Sequence, residues 1–161
     1  MHAVSIVKHP EPSLRKKSIA LNEIGREDRA LISEMARVMY ATKGIGLAAP
    51  QVGVSKRIIV FDSGSGLVKM VNPKIISRTG RASMEEGCLS VPQRSVNVKR
   101  AEEVKVSYMD ENGKKRTGTF RGLSARVIQH EIDHINGKLI IDYLPWYRKI
   151  ITRKGGAKCR L

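Results

Sequence analysis

The feature that most constrains this chain is a pair of histidines four residues apart, in His130-Glu131-Ile132-Asp133-His134. On a helix, residues four apart share one face, about 6 Å apart along the axis. Two imidazoles in that relation can hold one metal ion from the same side. Glu131 stands beside them, within reach of a water on such an ion as general base. Five residues of this kind also occur on helices that hold no ion, so the pattern has to be tested by its missing parts. A catalytic ion needs a third protein ligand and an open position. One related pattern would supply a third histidine where this chain has Ile140, and another a downstream glutamate, where Asp142 is the only acid left. The third ligand is therefore expected upstream. His2 and His9 stand near the N-terminus. Cys88, in Glu85-Glu86-Gly87-Cys88-Leu89-Ser90, is the better candidate, because a thiolate is a strong ligand for zinc, iron or nickel. The fold must then bring two distant segments to one point.

The rest of the pattern says how. From Arg26 to Thr42 the apolar positions Leu31, Met35, Val38 and Met39 mark one face of an amphipathic helix, which Gly44 and Gly46 stop. Arg57 to Asp62 is a β-branched run. Leu67 to Asn72 and Lys74 to Arg78 read as two short strands separated by Asn72-Pro73. The stretches 95–99 and 103–109 alternate, and Asp110 to Gly113 supplies a turn into 114–121. Cys88 falls between strands. The histidine-bearing helix has Ser124 as its expected N-cap and Asn136-Gly137 as its stop. Helix, many mostly antiparallel strands, helix is an α+β pattern rather than an alternating βαβ one. It is expected as a single domain over 1–161, with 147–161 a basic C-terminal tail.

A further segment carries chemistry: Gly44-Ile45-Gly46-Leu47-Ala48-Ala49-Pro50-Gln51. Its glycines let backbone approach a ligand closely, and Gln51 brings an amide donor. It is not a phosphate loop, because the Gly-Lys-Ser/Thr ending is missing. By itself it reads as a glycine turn and a connector of small residues.

The three segments together, in this order, resemble the peptide deformylase family. Its motifs Gly-x-Gly-Leu-Ala-Ala-x-Gln, Glu-Gly-Cys-Leu-Ser and Gln-His-Glu-x-Asp-His stand intact at 44–51, 86–90 and 129–134. The resemblance implies short strands packed around a central metal-binding helix. It implies removal of the N-formyl group from the N-terminal methionine of nascent polypeptides, with release of formate. It further implies that Cys88, His130 and His134 hold the metal and that Glu131 is base and proton shuttle. The Gln51 side chain and the Leu89 backbone N–H would meet the oxyanion. Substrate would lie extended along Gly46, with Gly44, Ile45, Glu86, Gly87, Leu123 and Val127 completing its site. Glu86 and Asp133 could also orient ligands, and Arg94 is the nearest counterpart of an arginine that contacts substrate in some members. Donor types alone suit zinc. The resemblance implies Fe(II) as the physiological ion, with zinc, nickel or cobalt able to take its place.

Composition enters through charge. Thirty Lys and Arg against 15 Asp and Glu give a net charge of +15, which argues for an anionic partner. Aromatic residues are only 4%, so stacking on single strands is not expected. A basic RNA- or ribosome-binding module with an incidental metal site is thus a second reading, and a metallopeptidase a third. The intact donor set speaks against the former, and the missing downstream ligand against the latter. The two readings of charge and chemistry combine if the tail cations Arg148, Lys149, Arg153, Lys154, Lys158 and Arg160 contact the ribosome. No run of about 18 apolar residues is present, so no membrane partner is expected. Met1 to Pro10 shows no secretory pattern, and two unpaired cysteines, Cys88 and Cys159, fit a reducing cytoplasm.

Overall fold

Ile58-Ile59-Val60-Phe61 forms a strand that is apolar at every position because both of its faces are covered. Side chains alternate along a strand. Ile58 and Val60 therefore pack with the first helix, α1 (Arg26–Ala41), and Ile59 and Phe61 with the second, α2 (Gly122–Ile135). Each such side chain contributes about 1.5–3 kcal/mol by leaving water. The computed structural model, which describes residues 5–145, is thus a sheet held between two helices, the α+β arrangement expected.

The sheet runs β1 (Gly46–Ala48), β2 (Ile58–Phe61), β3 (Val68–Thr79), β6 (Glu103–Met109), β7 (Lys115–Arg121), antiparallel throughout. A separate hairpin of β4 (Ala82–Cys88) and β5 (Val91–Arg100) carries Cys88. Its inward residues Val91, Val96 and Val98 pack with Leu14, Leu139, Ile140 and Ile141 in a third apolar cluster.

α1 begins where Asp28 accepts the Gly25 N–H at 2.9 Å, a local cap that also favours the positive helix end. α2 ends in a Schellman motif: the Gly137 N–H reaches the His134 carbonyl and the Lys138 N–H that of Asp133. Gly137 has φ +75, and a Cβ there would meet the Arg15 carbonyl oxygen at 2.3 Å, so this stop requires glycine.

Four local expectations need correction. The two short strands around Asn72-Pro73 are one strand, β3, with a register shift between Val71 and Lys74. Asn72 takes φ +52 there, and its amide accepts the Leu21 N–H and donates to the Leu21 carbonyl, which accounts for the irregularity. Ser124 does not cap α2; the helix starts at Gly122, and the Ser124 hydroxyl is hydrogen-bonded to that of Ser63. Cys88 is not between strands but ends β4, and the connector of small residues contains β1.

Candidate metal centre and active site

Helix periodicity places His130 and His134 one turn apart with their Nε2 atoms 3.2 Å from each other. The β4–β5 ladder breaks between Gly87 and Cys88, so that Ser95 faces Gly87 but Val91 faces Cys88. Such a bulge re-aims the side chain at its edge. Cys88 Sγ thereby lies 3.2 Å from His134 Nε2, and the three donor atoms lie within 4.8 Å of one another. His9 is not part of this cluster. A tetrahedral ion with ordinary metal–nitrogen and metal–sulfur bonds would separate its ligand atoms by about 3.3–3.6 Å. One thiolate and two imidazole nitrogens at these spacings fit a single divalent ion.

Behind His130, Glu86 fixes the ring. His130 Nδ1 is 3.0 Å from Glu86 Oε2, a contact that orients the ring with Nε2 toward the cluster. Glu86 is buried and also accepts from Arg100 Nε (2.7 Å) and Nη2 (2.9 Å) and from Arg126 Nη1 (2.7 Å). Burial alone would raise its pKa. The donors from His130, Arg100 and Arg126 outweigh burial and hold it at about 2. Arg100 continues to Asp133 Oδ2 (2.9 Å), which also accepts from the Tyr143 hydroxyl (2.7 Å). Asp133 is therefore tied into this network rather than free on the helix surface.

Glu131 projects toward β1 instead. It is 3% exposed, and its Oε2 has no hydrogen-bond partner among the described residues. Burial, the largest cause, raises its pKa to about 7 against the pull of His130 and Arg100. Gly46 makes room for it: a Cβ at that position would stand 2.4 Å from Glu131 Oε1 and 2.7 Å from Val127. His134, 1% exposed, is held well below the ordinary histidine value, first by burial and then by positive charge on His130 and Arg100.

Gln51 lies in a short turn after β1 and is 2% exposed. Its carbonyl accepts the Ala48 N–H at 2.8 Å, which fixes the amide. The Nε2 end is left facing Ser90 Oγ (3.3 Å) and Cys88 Sγ (3.7 Å).

All of this opens into a cleft of about 820 Å³. Of the residues expected from the sequence to act at the site, all line it except His134, which lies beneath, and Asp133 and Arg94. Glu86 is at its wall, but its carboxylate is engaged by His130, Arg100 and Arg126. Ile45, Leu123 and Val127 give it an apolar stretch, and Ile45 and Leu123 are 47% and 43% exposed. Arg94 is exposed on the bulged part of β5 and does not line the cleft; Arg126 does. Arg100 and Arg126 are the functional neighbours the sequence reading missed. Both carried a signal: Arg126 shares the 126–130–134 helix face, and Arg100 continues the inward alternation of Val96 and Val98.

The sequence model of the family described as Polypeptide deformylase matches residues 3–149. The chain is 48% identical over 144 residues to a peptide deformylase of Halothermothrix orenii, covering 88% of this chain and 94% of that one. A crystal structure of a peptide deformylase from Legionella pneumophila superposes with a TM-score of 0.87 at 41% identity, over 93% of this chain and 90% of that one. A peptide deformylase from Ehrlichia chaffeensis in complex with actinonin superposes with a TM-score of 0.88 at 34% identity, over 97% and 100%.

Proposed function

The chain belongs to the polypeptide deformylase family, and from that premise we propose how its own residues remove the N-formyl group of nascent polypeptides. Cys88, His130 and His134 hold one divalent ion, which when bound supplies Lewis acidity and eases deprotonation of water. Glu131 takes the proton from the attacking water. Its burial against β1 suits this role, because a carboxylate raised to about 7 is a stronger base near neutral pH. Water oxygen bonds to the formyl carbon, the carbon–nitrogen bond breaks, and Glu131 returns the proton to the leaving amine. Formate and a free methionine amine result. Gln51 Nε2 and the Leu89 N–H stabilise the oxyanion on the way. The peptide extends along β1, whose Gly46 backbone bonds it, and the apolar stretch at Ile45, Leu123 and Val127 takes the methionine side chain. Gly44, Glu86 and Gly87 complete the wall.

The observation that carries this reading is the convergence of three ligand donors with a buried Glu131 carboxylate, its Oε2 without a partner among the described residues, at the head of an apolar cleft. Formyl-Met-Ala should release formate while Met-Ala stays intact. Cleavage of Met-Ala would instead make the chain a peptidase.

The resident ion is Fe(II). A mixed thiolate–imidazole set accommodates it, and the family relation supports it. Protein purified without oxygen should contain stoichiometric iron and lose activity in air, since thiolate and ferrous ion both oxidise. Stoichiometric zinc with air-stable turnover would contradict this.

Residues 1–161 act as one catalytic domain in the cytoplasm. Among the described residues no helix is long and apolar enough to cross a membrane. The segment 147–161, with six Lys and Arg and no acid, contacts the ribosome. It lies outside the described residues. Changing its six cations to Gln should weaken co-sedimentation with ribosomes and leave formyl-Met-Ala turnover unchanged; undiminished co-sedimentation would refute the contact.

A further inference from the structure

A second cleft, of about 870 Å³, lies on the other side of α2 from the metal cluster. Its floor is the buried network already described, with Arg100, Asp133 and Tyr143 engaged with one another. Its walls differ. Arg78 and Arg81 come from the β3–β4 corner, Lys99 from β5, and Lys138 from the residue after the α2 stop. The first three are exposed and Lys138 is half-buried, with its ammonium 3.8 Å from the Tyr143 ring. Among the described residues none of these four has a carboxylate partner. The remaining residues, 1–4 and 146–161, contain no Asp or Glu to supply one. Glu102, against Gly80, is the acid that stands at the rim.

The five lining cations thus face one lining carboxylate, Asp133, which Arg100 and Tyr143 already engage. Four charges of one sign around a concavity raise the local concentration of an anion and repel one another without it. A flat membrane would meet only the outermost of them. A phosphodiester strand entering the concavity meets cations from both walls. The engaged Tyr143 ring and the scarcity of other aromatic residues argue for backbone contact rather than base stacking.

We infer that the cleft walled by Arg78, Arg81, Lys99 and Lys138 is a phosphate-recognition site that docks an RNA backbone. It is separate from the active-site cleft and from the tail contact proposed above, and stands or falls independently of it. Docking here leaves the substrate cleft open, because the two lie on opposite sides of α2.

The test is fluorescence anisotropy of a short labelled RNA hairpin with the full-length, metal-loaded protein across a salt series. Each lost phosphate contact should flatten the log–log salt slope by about 0.7–0.9. R78E/R81E/K99E should bind at least about tenfold more weakly and with a slope shallower by about two. Its formyl-Met-Ala turnover should remain within about twofold of the parent, which shows that it is folded. The tail variant with six cations changed to Gln should keep the cleft-dependent part of the slope. Unchanged affinity and slope in R78E/R81E/K99E would overturn the inference, even if the tail variant binds less. So would displacement of the hairpin by millimolar inorganic phosphate, which assigns the cleft to a small anion. So would cleft-dependent binding to phosphatidylglycerol vesicles without binding to the hairpin.

Discussion

The two helices of this protein bury one face each, yet they bury different chemistry. α1 lays Ile32, Met35, Val38 and Met39 on the sheet, and its one buried charge, Asp28, is matched by Lys56 at 2.6 Å at the helix start. α2 lays Val127, Ile128, Ile132 and Ile135 on the other side of the same sheet, but it also buries Arg126, Gln129, Glu131 and His134. Buried polar groups cost stability unless they are hydrogen-bonded. Arg126 and Gln129 meet that condition, through Glu86, Val98, Ala82, Ala101 and Ala125. Glu131 Oε2 and His134 Nδ1 do not, among the described residues. The difference teaches that α1 is held for packing, whereas α2 also buries polar groups left without a partner among the described residues, and these belong to the candidate site.

The largest effect should divide the two helices outright. Glu131→Gln keeps the volume and removes the charge. It should lower kcat/KM for a formyl-Met peptide by roughly 10²–10⁴-fold, the contribution of a positioned acid–base group, while thermal stability stays level or rises. Met39→Ala on α1 should do the reverse. A fully buried methionine cut to alanine costs about 2–5 kcal/mol, roughly 5–20 °C in Tm for a domain of this size, with kcat/KM unchanged well below the transition. Full activity in Glu131→Gln would end the proposed mechanism and the contrast with it.

Glu86→Gln sharpens the comparison, because here function and stability should fall together. The change leaves Arg126 buried without its counter-charge and Arg100 with Asp133 alone, which costs about 3–5 kcal/mol. It also releases the His130 ring, so metal affinity measured by chelator competition should drop about 10–100-fold. Loss of stability with unaltered affinity would make Glu86 a structural partner of the arginines alone. Next in size is Gly46→Ala on β1. The added methyl must displace the Glu131 carboxylate or the Val127 side chain. Turnover should fall about 10²-fold, the scale of a displacement near 1 Å, with little change in metal content.

Much of this was legible beforehand, and the reasons are local. The helix over 26–42 and the Asn136-Gly137 stop are recoverable because periodicity and a left-handed glycine are short-range signals. The cluster of Cys88, His130 and His134 is recoverable because the chemistry of ligand donors limits the candidates to few residues. The β3 strand is harder: Asn72-Pro73 looks like a break, and what carries the strand through is an amide clamp on Leu21, a contact across 51 positions. Ser124 fails as a cap because its hydroxyl finds Ser63 instead. Arg100 and Arg126 were hidden for the same reason in reverse: an arginine reads as surface until its buried acceptor, Glu86, is in place.

The smallest expected effect is a change of slope with pH, and it tests the unfavourable burial directly. The Glu131 carboxyl titrates near its ordinary 4.5 when unfolded and near 7 when folded. Between those values the folded chain holds a proton that the unfolded chain has released, so this group's contribution declines as pH rises through the window. Glu131→Gln cannot titrate there. In metal-free protein its stability advantage over the parent, read from urea transitions, should therefore be slight near pH 4.5, grow toward pH 7 and level off above it. The final gap should be on the order of 1–3 kcal/mol. Glu86 runs the other way. Held at about 2, it stabilises above 4.5 and loses that contribution as pH falls, so the Glu86→Gln penalty should shrink in acid. Met39→Ala, on the apolar face of α1, should show a gap with no such titration. A flat gap for Glu131→Gln would mean that its carboxylate has found a partner in solution, and that α2 buries its charges as comfortably as α1 buries Asp28.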